Sequence, residues 1–149
     1  MRIEIDQSGK IENTSKNTII AFSNGEFKSI FISAKDKREV QKVFRSAGKQ
    51  KVFIYRIFAI LIFLLIKDRL KRIHCIVIDE EYPGKSVLIK SFLLLEIRKI
   101  NPRFPKENIS FQKIGKKSRT HFLAYGAAIG RKQADLRVGS KEILRYMIK

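Results

Sequence analysis

The period of hydrophobic and polar positions changes several times along the chain, and each change marks an element. Arg2 to Asp6 alternates polar and apolar residues, the two-residue period of a strand. Turn-forming residues follow in DQSGKIENTSKN, with room for a short strand at Lys10 to Glu12. The apolar runs Thr18–Ser23 and Lys28–Ser33 then flank Asn24-Gly25. Asn-Gly is favoured in type I′ hairpin turns, whose two central residues both need positive φ.

From Ala34 the period lengthens to that of a helix. AKDKREVQKVFRSAGK sets Val40, Val43 and Phe44 on one face and stops at Gly48. KVFIYRIFAILIFLLIKDRLKR is apolar nearly all round, as a centrally packed helix is. Its core, Phe58 to Ile66, is too short to span a bilayer and is flanked by Arg56 and Lys67. Ile73 to Asp79 carries few polar positions and predicts a strand buried on both faces. YPGKSVLIKSFLLLEIRKIN places Val87, Leu88, Phe92, Leu95 and Ile100 at helical spacing after Pro83. NISFQKIG predicts a strand, and SRTHFLAYGAAIGRK a helix between a Ser118 cap and Gly130. DLRVGSKEILRYMIK predicts a short strand and a final helix. The order is that of a single α/β domain over residues 1–149, its sheet antiparallel early and βαβ-like later.

Charge adds the first functional constraint. The chain has 32 Lys+Arg against 14 Asp+Glu, a net charge of +18. Such an excess fits a polyanionic partner, nucleic acid before an anionic membrane surface. Cys75 is the one cysteine, which excludes a disulfide framework and a cysteine zinc site. His74 and His121 are the only histidines, so a metal has to be held mainly by carboxylates, which favours magnesium or manganese. The chain opens on the strand pattern RIEID without a signal-peptide pattern, and a cytoplasmic protein is expected.

Against this background CIVIDEEYPGK is unusual, because an apolar strand delivers Asp79, Glu80 and Glu81 together. Strand alternation allows only one of Asp79 and Glu80 to face a given side, with Glu81 returning to the side of Asp79. Asp79 is the favoured metal ligand and Glu80 its alternate. Asp6 meets a Ser-Gly turn at the end of the first strand pattern. An Asp there is often a turn residue bonded to nearby backbone; a second acidic strand end makes it a ligand candidate.

The element order and these acids resemble the ribonuclease H-like superfamily of nucleases, resolvases and transposases. IEIDQSGK is similar to the family's first strand and its Asp-x-(Ser/Ala)-Gly turn, with Asp6 at the catalytic position. VIDEE resembles the fourth strand, and SRTHFLAYGAAIG the last core helix with His121 in its first turn. The closest branch is the RuvC-type Holliday junction resolvases, although the position three residues after His121 is Ala124. The resemblance implies a mixed five-stranded sheet, three antiparallel strands followed by βαβ units, flanked by helices. It also implies a metal-dependent nuclease using Mg2+ or Mn2+, with Asp6, Asp79, Glu80 and His121 catalytic. Asp6, Asp79 and Glu80 would hold metal, with Asp135 in reserve. Branched DNA and a symmetric homodimer follow from the RuvC-like branch.

Phosphate contacts are expected from Lys113, Lys116, Lys117 and Arg119, which precede His121 and adjoin a helix N-terminus, and from Lys85 beside Asp79. The expected partner is nucleic acid, DNA before RNA, and no membrane. Two other classes fit the same sequence: a non-catalytic nucleic-acid-binding protein of the same fold, and a protein-assembly module.

Overall fold

The structure, a computed structural model, describes residues 1–24, 26–113 and 134–147. Its strands are β1 (Arg2–Ser8), β2 (Thr18–Ser23), β3 (Phe27–Ile32), β4 (Cys75–Asp79), β5 (Ile109–Gln112) and β6 (Leu136–Arg137). The described helices are α1 (Ala34–Ser46), α2 (Phe53–Ile66), α3 (Ser86–Ile100) and α4 (Ser140–Arg145). The helix expected over SRTHFLAYGAAIGRK lies outside the described residues.

The strands form one mixed sheet of order β5-β4-β1-β2-β3-β6. β1, β2 and β3 run antiparallel in succession, while β4 and β5 run parallel to β1. Among the described residues the sheet has six strands rather than five. The tail supplies the extra one, because β6 joins the outer edge of β3 in parallel and Val138 N–H donates to Phe31 O at 3.0 Å. Pairing of Ser23 with Phe27 leaves three residues in the hairpin connection, of which Gly25 is outside the described set.

One face of the sheet carries the main core. Ile3 and Ile5 of β1, Ile20 and Phe22 of β2, and Ile76 and Ile78 of β4 pack there with α2, whose residues from Ile57 to Ile66 are all buried. The other face carries a small apolar cluster, Ile19 and Ala21 with Phe27, Phe31 and Ala134. Period-2 alternation marks the core-facing side of β1, whereas β2 is buried on both faces from Thr18 to Phe22. Among the described residues no helix is long and apolar enough to cross a membrane.

Helix ends follow local chemistry. Ser33 caps α1 by accepting from Asp36 N–H at 3.1 Å. At the other end Gly48, at φ 72°, allows Lys49 N–H to reach Phe44 O at 2.8 Å and Gly48 N–H to reach Arg45 O at 3.0 Å, a Schellman stop. Before α3, Pro83 and Gly84 (φ 81°) turn the chain, and Lys85 N–H donates to Tyr82 O.

Three local expectations differ from the structure. Lys10 to Glu12 is a turn, not a strand. On α1 the buried stripe is Lys37, Val40 and Phe44, with Val43 outside, because Lys37 has polar partners beneath it. On α3 the inward residues are Ile89, Leu93, Leu94, Glu96 and Ile97, while Val87, Leu95 and Ile100 face outward. This helix has apolar residues on every side, so packing against α2 rather than periodicity sets its rotation.

Candidate metal centre

The parallel pairing of β1 with β4 brings two acids together. Ile5 pairs with Ile78, and one step further along both strands stand Asp6 and Asp79. Alternation sends Ile5 and Ile78 into the main core, so Asp6 and Asp79 share the opposite face. Asp6 is not the last residue of its strand: β1 continues to Ser8, with Asp6 opposite Ala21 of β2.

Glu81, just past the end of β4, completes the group. One carboxylate oxygen from each of Asp6, Asp79 and Glu81 lies within 4.8 Å of the others. Asp6 is buried, whereas Asp79 and Glu81 are half-buried. Oxygens around octahedral magnesium sit roughly 3 Å apart when adjacent and about 4.2 Å apart when opposite, given bonds of about 2.1 Å. Small side-chain rotations therefore bring the three acids to a hard divalent cation, and an all-oxygen donor set has the right chemistry for one.

The acids interact strongly. Burial, a hydrogen bond with Asp79, and the negative charges of Asp79 and Asp6 raise Glu81 from 4.5 to about 8, against a smaller opposite effect of Lys10. Near neutral pH Glu81 therefore keeps its proton and shares it with Asp79. The Asp6 carboxylate accepts from Gln7 N–H at 2.8 Å, which helps to fix its orientation.

A second layer holds this geometry. The Tyr82 hydroxyl accepts from Gln7 Nε2 at 3.0 Å and donates to Glu12 at 3.1 Å, tying the residue after Glu81 to the residue after Asp6 and to the β1–β2 loop. Burial raises the Tyr82 phenol, which stays protonated. Its ring meets Tyr55 and Phe58 edge to face, with centroids 5.8 and 5.5 Å apart.

Lys37 pins the same loop from α1. Its ammonium donates to Asn13 O at 2.8 Å, Thr18 Oγ1 at 3.0 Å and Lys10 O at 3.3 Å, which uses all three protons. Burial lowers Lys37 from 10.5 to about 8, partly offset by Glu12 and reinforced by Arg38. Gly9, at φ 74°, lets the loop cross itself: a Cβ there would stand 2.1 Å from Asn17 O.

Of the acids expected at the site, Asp6 and Asp79 come together and Glu80 does not join them. Glu80 is one residue out of phase with Asp79, so the group takes Glu81 instead; Glu80 N–H bonds to Gln112 O at 2.8 Å and prolongs the β4–β5 pairing. Asp135 lies elsewhere. Its carboxylate accepts from Ser29 N–H at 2.8 Å on β3, two strand spacings, or roughly 10 Å, from Asp6 at the backbone. Lys113 is exposed and follows Gln112, which pairs with Asp79. The exposed Lys85 places its ammonium 5.5 Å from the centre of the Tyr55 ring. His121, Lys116, Lys117 and Arg119 lie outside the described residues.

Sequence reasoning assigned no site role to Glu81, Tyr82, Gln7 or Lys37. The signal for Glu81 was present, since alternation returns it to the side of Asp79. Lys37 carried none, because a lysine at a helical core position resembles a surface residue until its acceptors are known. A comparison with protein-family models, with curated proteins and with solved structures finds no match to this chain.

Proposed function

We propose that the chain is a metal-dependent nuclease of ribonuclease H-like fold that hydrolyses phosphodiester bonds of nucleic acid, DNA before RNA. The observation that carries this reading is the convergence of Asp6, Asp79 and Glu81 in a chain of net charge +18. A carboxylate cluster is an unfavourable thing to keep unless a cation repays it, and a basic exterior draws phosphates toward that cation.

The sheet supports the reading. The antiparallel succession of β1, β2 and β3, with β4 parallel to β1 and beside it, accords with the resemblance, while β6 adds a strand to it. The chain winds from β1 toward β2 on one side and from β4 toward β5 on the other. Ligand sites of open α/β sheets lie at such a reversal, beyond the carboxyl ends of the strands.

Asp6 and Asp79 would hold Mg2+ or Mn2+ from the sheet, and Glu81 would join them after releasing its proton. A divalent ion so held supplies an activated water and neutralises charge on the reacting phosphate. Gln7 and Tyr82 keep the carboxylates in place, while Lys10 and Lys113 offer cations to the strand being cut. Branched DNA as substrate and a symmetric dimer belong to this proposal as its RuvC-like form.

The test is cleavage of labelled single-stranded, duplex and four-way-junction DNA, and of RNA, with manganese or with EDTA. Asp6→Asn and Asp79→Asn should abolish metal-dependent cleavage while leaving binding in place. Binding without metal-dependent cleavage by the wild type would favour the non-catalytic nucleic-acid-binding reading.

A further inference from the structure

The outward side of α3 is apolar where an isolated protein would carry polar residues. Val87, Leu95 and Ile100 are 84%, 54% and 46% exposed. Two hollows meet at Leu95. One, of about 420 Å³, runs along α3 between Ser91 and Arg98; the other, of about 360 Å³, lies between α3 and the start of α2 and reaches Phe92 and Met147. Leu93 and Ile97 of the same helix pack into the core on the sheet face opposite the carboxylates, so this surface is separate from the candidate metal centre.

Among the described residues, the charged ones that line the hollows are all cations. Arg98 and Lys99 line the first, Lys49 and Arg56 the second, and among the described residues no carboxylate lines either. Lys99 is paired with the buried Glu96 at 2.6 Å. Arg56 is fixed in place: Nη2 donates to Tyr146 O at 2.8 Å and the guanidinium lies 5.2 Å from the Phe92 ring centre, while Nη1 makes no hydrogen bond. Among the described residues Arg98 donates to one backbone carbonyl, that of Phe104, at 3.1 Å.

Charge complementarity selects the occupant. A second copy of this chain would bring the same cations to the same place. Residues 114–133 contain no Asp or Glu. Nucleic acid would meet the cations but leave the leucine and valine side chains in water. An amphipathic helix with acids beside its apolar stripe satisfies both, because its side chains at i, i+4 and i+7 supply apolar contacts while its flanking carboxylates meet the cations.

We infer that the outer face of α3, centred on Leu95, docks an acidic amphipathic helix of another protein. Apolar side chains of that helix enter the two hollows, and its carboxylates pair with Arg98 and Lys49. The metal centre stays open during this contact, so the partner would tether or recruit the protein rather than block it.

The probe is a fluorescein-labelled synthetic helix with leucines at i, i+4 and i+7 flanked by glutamates, compared with a scrambled peptide of equal composition. Anisotropy should show the patterned peptide binding at least tenfold more tightly than the scrambled one. Leu95→Glu should lose that preference, and Arg98→Glu should weaken the glutamate peptide while gaining affinity for a lysine-flanked version. Both changes are on the surface, and circular dichroism checks that the fold is kept. Equal binding of the two peptides, or no effect of Leu95→Glu, would overturn the proposal. So would a wild-type dimer in light scattering that Leu95→Glu dissociates, or competition of the patterned peptide by single-stranded DNA that Leu95→Glu abolishes, since another occupant would then hold the face.

Discussion

Asp6 and Asp79 stand side by side on adjacent parallel strands, one step beyond the pair Ile5–Ile78 that anchors both strands in the core. The same alternation that buries the two isoleucines fixes the two acids on the other face. Charge repulsion is thus imposed by the core packing of Ile5 and Ile78, and Glu81 answers it by holding a proton.

Metal binding should therefore release protons. Glu81 is raised to about 8, so manganese affinity should climb as pH rises through that value and level off above it. Calorimetry at pH 7 in buffers of different ionisation enthalpy should show proton release. In Glu81→Gln the release and the climb should both shrink.

Without metal, stability should pass through a minimum near pH 8. Glu81 binds its proton more tightly folded than unfolded, so its contribution falls as pH rises from 4.5 to about 8. Lys37 has the opposite sense: its folded value of about 8 lies below 10.5, so its penalty is complete below about 8 and disappears as pH rises toward 10.5. Urea midpoints from about pH 5 to about pH 10 check both limbs. Glu81→Gln should flatten the acid side and Lys37→Met the alkaline side.

Lys37→Met keeps the volume of the side chain but removes the ammonium from which the buried Thr18 Oγ1 and the carbonyls of Lys10 and Asn13 accept, the two carbonyls keeping their backbone donors Asn13 N–H and Lys16 N–H. Hydrogen bonds from a charged group contribute about 1.5–3 kcal/mol. A loss of about 1–3 kcal/mol in urea unfolding is expected, with protease sensitivity rising first between Gly9 and Asn17.

Gly9→Ala should cost at least about 2 kcal/mol, because the new Cβ meets the backbone carbonyl of Asn17 at a positive φ. The loop between β1 and β2 has to move to admit it. Manganese affinity should fall together with stability, since Gln7 and Glu12 share the Tyr82 hydroxyl with that loop.

Much of the fold was legible because strands of clear period state both their type and their buried face. β1, the hairpin, β4 and α2 emerged where the pattern placed them, within a residue or two at most ends. Asp6 and the acidic end of β4 were found from the strands that carry them. The inward face of α3 was not legible, because a helix apolar on all sides states no preference and its neighbour decides. Lys37 was missed for a related reason: two of its three acceptors come from a loop whose path depends on Gly9 and Tyr82, and the third from the start of β2. The choice of Glu81 over Glu80 could have been read from alternation alone. The role of Asp135 depended on the sixth strand, which brings its carboxylate to Ser29 instead of Asp6.

Manganese titration of the wild type against Asp6→Asn and Asp79→Asn, followed by electron paramagnetic resonance at about pH 8, tests the central claim most directly. Bound manganese in the wild type, weakened by at least about tenfold in each variant, is the predicted result. Equal manganese binding in all three proteins would contradict a metal centre built on Asp6 and Asp79.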